Sequence, residues 1–363
     1  MRWYPYGHDF GNAEMGGVTV IGGKNFSRSI PTAFAKADTS AMRNLGIKVD
    51  QSNTHLIQFQ GEAMAYAVGD LALQQASDVY HGRGDIQRYA SKYSLRGLLT
   101  LAATLIPETE FGLYVVTGLP AETYIKNASL RARIKEALDG THVFTVDNGK
   151  TWHRVAVEVA TVVMEGAGAL IAYGGETAIS KTTESAVIDI GGRTTDLYVA
   201  RGQVPVTEYC KGKPLGVETA TQMLMDTFEN KYDRSLSLLE AREIMYAYAS
   251  KGEINYPEIA VYGKIVSAHD LERLVKEAVT QVGSEIASFV ASAWRQSDRD
   301  AVAASFKPVL NIGGGVYYFH HALKRRIPHL SYPEDPVHAN ALGYSVLAGR
   351  LLVRKFQANG IKI

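Results

Sequence analysis

The sequence has a single cysteine, almost no excess of charge of either sign, and no low-complexity tract. Because Cys210 has no second cysteine to pair with, an internal disulfide is excluded, which fits a reducing compartment such as the cytoplasm. The formal net charge of +1 argues against a broad nucleic-acid surface and against an acidic disordered tail. We therefore expect a cytoplasmic protein that does not bind nucleic acid directly.

Signals for secretion and membrane insertion are also lacking. The first ten residues read MRWYPYGHDF and contain no apolar core of a signal peptide. The most apolar stretch, residues 155–173, contains Glu158, Glu165 and two glycines. This pattern favours a buried strand followed by a helix, and we expect no membrane span.

The chain is long enough for two domains, since 363 residues exceed the ~100–200 residues of one typical domain. Strand-like and helix-like patterns alternate, which predicts an α/β fold. We expect a first domain at 1–185, with a small insert at 31–92, and a second domain at 186–363. A last helix at 338–356 is predicted to return to the first domain. No linker separates the halves, so a cleft between tightly packed domains is expected.

An internal repeat supports this division. Residues 8–23, HDFGNAEMGGVTVIGG, align with residues 188–203, IDIGGRTTDLYVARGQ, at an offset of 180. Asp9 then matches Asp189, Gly11 matches Gly191, and Gly22 matches Gly202. Each copy reads as a strand, an Asp-x-Gly turn, a second strand and a Gly turn, which predicts two equivalent β-hairpins.

Paired hairpins of this kind can bind a polyphosphate. Glycines let backbone N–H groups close on phosphate oxygens, and a strand-end aspartate can hold Mg²⁺ through water. Either turn alone would more simply be structural, but two in register favour phosphate binding. We expect Asp9 and Asp189 to be the metal-side residues.

A third glycine-rich turn follows the apolar run at 308–312. Gly313, Gly314 and Gly315 lead from this strand into a helix, where a flat nucleotide base could approach the backbone and Tyr317 could cover one of its faces. The turn does not read GxGxxG, and the chain contains no GxxxxGK[ST], so dinucleotide-binding and P-loop signatures are missing. The alternative is a tight structural turn.

The order of these motifs resembles the actin-like ATPase superfamily, whose fold is ribonuclease H-like and duplicated around a nucleotide cleft. DFGNAE, VTGLP and DPVHANALGY (335–344) most resemble the ParM plasmid-segregation type of bacterial and archaeal actin-like proteins. The resemblance covers essentially the whole chain. It implies ATP or GTP with Mg²⁺ as ligands, ATP hydrolysis, and self-assembly into filaments.

The resemblance also implies roles for individual residues. Glu165 falls where the family places the residue that positions the attacking water, and Asp189 is the second expected catalytic residue. Arg242 and Glu243 resemble a Lys-Glu pair beside the base, and Gly216 resembles a glycine near the ribose. The expected nucleotide-binding residues are Asp9, Gly11, Asn12, Ala13, Gly191, Gly192, Arg193, Thr194, Gly216, Arg242, Glu243, Gly313, Gly314, Gly315, Val316 and Tyr317.

One position departs from the family pattern. Actins have a lysine seven residues after the first aspartate, and this chain has Gly16 there. Arg193, Lys24 or backbone groups alone are the candidates to replace it.

Three functions remain open at this point. The first is a filament-forming ATPase that segregates a plasmid or has another cytoskeletal role, with a small DNA-binding adaptor as a candidate partner. The second is a small-molecule kinase of the same fold, and the third is an ATP-dependent assembly regulator that does not polymerise.

Overall fold

The computed structural model describes residues 1–38, 54–75, 78–82, 84–175, 181–295 and 301–358. Part of the insert predicted at 31–92 lies outside these ranges. Within them, strands alternate with helices, and the predicted α/β class is confirmed. In the described ranges, no helix combines the length and the apolar character needed to cross a bilayer.

The first of the two large sheets is built from strands that end before residue 165. Their order across the sheet is β3-β2-β1-β7-β9-β8-β5-β6-β4, with β1, β7 and β9 parallel and the other neighbours antiparallel. The strands are β1 Arg2–Phe10, β2 Glu14–Ile21, β3 Lys24–Pro31, β4 Phe34–Ala37, β5 Thr54–Phe59, β6 Ala65–Gly69, β7 Glu110–Leu119, β8 Gly140–Thr145 and β9 His153–Met164.

The second large sheet is built from later strands in the order β12-β11-β10-β16, and β13 pairs with β11. In this sheet β10 and β16 are parallel, while β11 is antiparallel to its neighbours. The strands are β10 Glu184–Ile190, β11 Thr195–Arg201, β12 Val204–Pro205, β13 Lys211–Lys213 and β16 Phe306–Ile312, and a separate small hairpin consists of β14 Ala260–Val261 and β15 Lys264–Ile265.

Helices cover the sheets. They are α1 Asp70–Gln75, α2 Lys92–Leu105, α3 Ala121–Lys126, α4 Ala128–Leu138, α5 Ala167–Tyr173, α6 Val217–Tyr232, α7 Leu238–Ala249, α8 Ala268–Trp294, α9 Val316–Lys324 and α10 Ala339–Ala358, with 3-10 turns at Ile86–Ala90 and Thr207–Tyr209. Helix α8 buries Leu271, Leu274, Ala278 and Val282 along one side, a spacing that places them on one face of a helix. They pack in the core beneath the second sheet.

The two hairpins of the sequence repeat are equivalent in the structure. Asp9 pairs with Gly16 and Asp189 pairs with Asp196, seven residues later in each case. The second glycines also match, since Gly22 has a φ of 58° and Gly202 a φ of 61°. The repeat seen in the sequence is therefore a repeat of backbone structure.

Helix α10 packs against β1 and β7 of the first sheet. A Cβ atom at Gly7 would overlap the carbonyl oxygen of Ala341, and one at Gly118 would overlap the hydroxyl of Tyr344. Both glycines therefore permit a close approach between helix and sheet, and this approach fixes the start of α10 near the ends of the strands.

The segment at 121–138, which the sequence pattern predicts as one helix, forms two. Helix α3 ends and α4 begins at Asn127, whose φ of −126° and ψ of 65° are not helical. The Asn127 side chain donates to the carbonyl of Thr123 at 3.2 Å. Asparagine competes with the helical hydrogen bonds in this way, which explains the break.

Candidate functional site

The turns of the two repeated hairpins meet at the edge of a cleft that both of them line. A Cβ atom at Gly192, in the turn after β10, would overlap the Cβ of Ala13 in the turn after β1. The cleft contains a cavity of about 860 Å³. This volume is within the range of ordinary small-molecule sites.

Most of the residues predicted from the sequence line this cavity. Gly216, Glu243, Gly315 and Val316 lie outside its lining, with Glu243 exposed on α7. The predicted residues that do line it are Asp9, Gly11, Asn12, Ala13, Glu165, Asp189, Gly191, Gly192, Arg193, Thr194, Arg242, Gly313, Gly314 and Tyr317.

The carbonyl groups of the first turn are held by the surrounding protein. Gly11 O accepts hydrogen bonds from the Thr32 hydroxyl at 2.9 Å and from the buried Arg88 guanidinium at 3.0 Å. Ala13 O accepts one from the backbone of Thr32 at 2.9 Å. Because these carbonyl oxygens already accept hydrogen bonds from the protein, the turn would bind an anion through its backbone N–H groups.

The second turn has the same arrangement. The backbone N–H groups of Val217 and Glu218, at the start of α6, donate to the carbonyls of Gly191 and Gly192 at 3.2 and 2.6 Å. Gly216 lies behind this turn, because a Cβ there would be 2.6 Å from Gly191 O. The N-terminus of α6 therefore supports the turn.

The third turn requires a glycine at its first position. Gly313 has a φ of 81°, and a Cβ there would lie 2.7 Å from Oδ1 of Asp189. Gly315 packs on Ile190 and donates its N–H to Ile190 O at 2.8 Å. These contacts hold the ends of β10 and β16 next to each other at the cavity.

Four acidic side chains line the cavity together: Asp9, Asp189 and Asp196 lie on three different strands, and Glu165 directly follows β9. Burial, with the charges of Asp9, Asp196 and Asp189, raises the pKa of Glu165 well above its ordinary value. Burial, with Asp9 and Asp196, does the same to the pKa of Asp189. Burial also raises the pKa of Asp9 and that of Asp196 to about 6 each. Like charges and a restricted supply of water thus make the site strongly attractive to cations.

Asn340, on α10, connects the carboxylate of Asp189 to the backbone beside Glu165. Its side-chain amide donates to Oδ2 of Asp189 at 2.7 Å, and its oxygen accepts from the Gly166 N–H at 2.9 Å. Gly166 directly follows Glu165, so one buried amide fixes both candidate catalytic positions. The two bonds also assign the orientation of the amide group, since each end has a partner of the required type.

Two protein-family models match the chain over most of its length. Residues 7–168 match the model of the actin-like proteins' N-terminal domain. Residues 187–325 match the model of the archaeal MreB-like actin homologue, C-terminal domain. The chain belongs to the actin-like superfamily. Its duplicated hairpins and intervening cleft are the actin-like fold with two domains, as the sequence resemblance implied.

Solved structures of other actin-like proteins have the same fold. Ta0583, an archaeal actin homologue, is 20% identical with a TM-score of 0.73, covering 96% of this chain and 100% of its own. A ParM from Clostridium botulinum, solved as a 15-stranded filament, is 22% identical with a TM-score of 0.75 and the same coverage. Ta0583 is also known in complex with ADP, at 19% identity and a TM-score of 0.73. No curated protein sequence matches the chain.

The prediction that Lys24 could replace the missing lysine is wrong. It pairs with Ile21 at the far end of the β2–β3 hairpin, whereas Glu14 and Pro31 form the cavity end. At about 3.3 Å per residue, this places Lys24 roughly 23 Å from Glu14. Arg193 lines the cavity and forms an ion pair with Glu218, with Nε 3.2 Å from Oε2.

Arg88 is a cation that the sequence analysis missed. It is 3% exposed, lines the cavity, and counteracts the raised pKa values of Asp9 and Glu165 through its charge. It comes from the 3-10 turn Ile86–Ala90, where no regular hydrophobic pattern distinguishes it. Asp196 was visible in the DIGGRTTD motif and Asn340 in DPVHANALGY, but neither was assigned a role.

The acidic residues fit a hydrated metal ion better than a directly bound one. In the described part of the chain, no three acidic, histidine or cysteine side chains converge closely enough to hold a metal ion. Mg²⁺ usually keeps several of its waters and needs few direct protein ligands. Asp9 and Asp189, which both face the cavity, suit contact with Mg²⁺ through those waters.

Proposed function

We propose that this protein binds ATP with Mg²⁺ in the cleft, hydrolyses it, and assembles into filaments whose lifetime depends on hydrolysis. The observation that carries the proposal is the pair of equivalent turns that meet beside the four-carboxylate cluster. Two turns with satisfied carbonyls can hold a polyphosphate between them, and the acidic cluster beside them can hold its cation.

The chain's own residues divide the work of hydrolysis. The turns at 11–13 and 191–194 bind and orient the phosphates, and Asp9 and Asp189 would hold Mg²⁺ through its waters. The ion would neutralise phosphate charge, which is the main requirement of phosphoryl transfer. Glu165 orients the attacking water and takes up its proton, and its raised pKa makes it a stronger base than an ordinary glutamate.

Asn340 supports both steps. Its bond to Asp189 keeps that carboxylate aimed at the metal side, and its bond to the Gly166 N–H fixes the backbone beside Glu165. A displacement of either group would misalign water and phosphate, and alignment accounts for much of catalysis in such reactions.

Assembly into filaments is proposed from the relatives, of which one was solved as a ParM filament. A role in plasmid or other DNA segregation would then use a separate DNA-binding adaptor, because the net charge of +1 provides no broad nucleic-acid surface. We also propose a cytoplasmic location, because a chain with a single cysteine has no internal disulfide and suits a reducing compartment.

Phosphate release and light scattering after a limited pulse of ATP and Mg²⁺ test the proposal together. We expect wild-type scattering to rise and then decay as phosphate is released, and GTP in place of ATP tests the base preference. Glu165→Ala should assemble but decay slowly, while Glu229→Ala, an exposed glutamate on α6, serves as the matched control.

The outcomes separate the three candidate functions. Phosphate release without scattering or pelleting would reject the filament and leave an ATPase. Phosphorylation of a small acceptor would favour the kinase, and binding without release would favour the regulator. Unchanged release in Glu165→Ala would reject the role of that residue.

A further inference from the structure

Three side chains beside the cleft form a hydrogen-bonded relay. Oγ of Ser29, on β3, lies 2.8 Å from Nε2 of His338, just before α10. Nδ1 of His338 lies 2.8 Å from Oδ2 of Asp335, and the backbone N–H of His338 donates to Oδ1 of Asp335 at 3.2 Å. The order and the distances are those by which a carboxylate and an imidazole activate a serine.

The relay determines where the protons lie. Burial of Asp335 favours its neutral form, but the hydrogen bonds that it accepts from the side chain and the backbone of His338 hold the pKa of Asp335 below its ordinary value. An ionised carboxylate only accepts hydrogen bonds, so Nδ1 of His338 carries a proton. In the neutral ring, Nε2 then has a free lone pair and accepts the hydrogen bond from the Ser29 hydroxyl, which becomes a better nucleophile.

Ser29 also lies close to the acidic cluster. Gly16 pairs with Asp9 on one side and with Ser29 on the other, so the three residues form a row on one face of the sheet. A methyl group at Gly16 would be 3.9 Å from Cβ of Asp9, 3.8 Å from Oγ of Ser29 and 3.6 Å from Cδ2 of His338. A gap about as wide as one small group therefore separates Ser29 from Asp9. Asp9 and Pro31 line the cavity, whereas Ser29 and His338 lie just outside its lining, on the other side of the gap at Gly16.

We propose that Ser29 accepts the terminal phosphoryl group of a nucleoside triphosphate bound in the cavity, so that the protein phosphorylates itself. The inference rests on the nucleotide binding proposed above. Gly16 is essential to it, because a long side chain at this position would fill the gap between Ser29 and the cluster.

The reaction is a single displacement at the terminal phosphorus. The Ser29 oxygen forms a bond to that phosphorus while the bond to the bridging oxygen breaks, and the nucleoside diphosphate leaves. The hydroxyl proton moves to Nε2 of His338, and Asp335 stabilises the resulting imidazolium. The product is a phosphoserine with a charge of about −1.5 to −2 beside Asp9, which would oppose binding of the next triphosphate.

Mass spectrometry of the protein after incubation with Mg²⁺ and ATP tests the inference. Trypsin cuts after Arg28 and Lys36, and fragmentation of peptide 29–36 distinguishes phosphate on Ser29 from phosphate on Thr32. We expect phosphate on Ser29 in the wild type and in Ser27→Ala, a control two residues earlier on the strand. Ser29→Ala should show none. Because His338 acts as the base, His338→Gln should react about 10²–10⁴-fold more slowly, and Asp335→Asn should also be slowed.

Binding of a fluorescent ADP analogue and phosphate release are measured on the same preparations, with thermal unfolding to verify that each variant folds. Nucleotide binding and hydrolysis by a wild type whose Ser29 stays unmodified would overturn this inference and leave the proposed function standing. Failure of the wild type to bind nucleotide would overturn both. Equal phosphorylation rates in the wild type and His338→Gln would overturn the role of the relay.

Discussion

Replacement of Asp9 by asparagine should stabilise the nucleotide-free protein while it abolishes the nucleotide hydrolysis proposed above. Burial raises the pKa of Asp9 from 3.8 to about 6, even though the charges of Arg88 and His338 oppose the shift. At neutral pH the folded chain therefore keeps a carboxylate ionised in a place that disfavours the charge. A shift of about two pKa units corresponds to about 3 kcal/mol, so we expect Asp9→Asn to gain about 1–3 kcal/mol of unfolding free energy.

The gain should depend on pH in a defined direction. Between about pH 4 and pH 6 the folded wild type binds more protons than the unfolded chain at Asp9, so its stability falls as the pH rises through this window. Below this window Asp9 is neutral in both the folded and the unfolded state, so its burial no longer lowers the free energy of unfolding. The advantage of the variant should therefore be full at pH 7 and vanish below about pH 4.

Thermal unfolding without nucleotide at several pH values measures this advantage, with Asp226→Asn, an exposed aspartate on α6, as the control. A second series with Mg²⁺ and ATP should stabilise the wild type more than the variant, because the variant lacks one of its two metal-side carboxylates. A variant that is less stable than the wild type at pH 7, or whose advantage persists unchanged at pH 4, would refute the reasoning.

Three further changes address single residues. Glu165→Gln should keep ADP affinity and slow phosphate release about 10²–10⁴-fold, and a normal rate would exclude it from the chemistry. Gly313→Ala should lower the unfolding free energy by about 1–3 kcal/mol, because Gly313 has a φ of 81° and lies close to Asp189. Gly314→Ala is the control and should not lower it, because nothing lies within 4 Å of a Cβ at this position. Equal melting temperatures of the two variants would contradict this. Asn340→Ala should lower kcat more than it raises KM, and an effect on KM alone would show that Asn340 serves binding.

The sequence was sufficient for the features that are encoded locally. A strand, an aspartate and a glycine turn follow one another within each repeat, so the two hairpins at residues 2–21 and 184–201 could be predicted with their matching register. The strand, glycine turn and helix at 306–324 were equally accessible. In each of these cases the residues that determine the structure are neighbours along the chain.

Features that depend on distant contacts could not be predicted in this way. Arg88 reaches Gly11 from 77 residues away, and Asn340 reaches Asp189 from 151 residues away. Neither belongs to a periodic pattern that would indicate its partner. Lys24 was a reasonable candidate by sequence distance, but the β2–β3 hairpin carries it away from the turn.

The position of Asn340 in the chain has a consequence for biosynthesis. The turns at 11–13 and 191–194 and the four carboxylates all precede residue 197. The Asn340 amide that joins Asp189 to the backbone beside Glu165 belongs to α10 Ala339–Ala358. A chain still being translated therefore has its acidic residues long before the group that aligns them. The nucleotide hydrolysis proposed above should therefore begin only after α10 has left the ribosome and packed against β1.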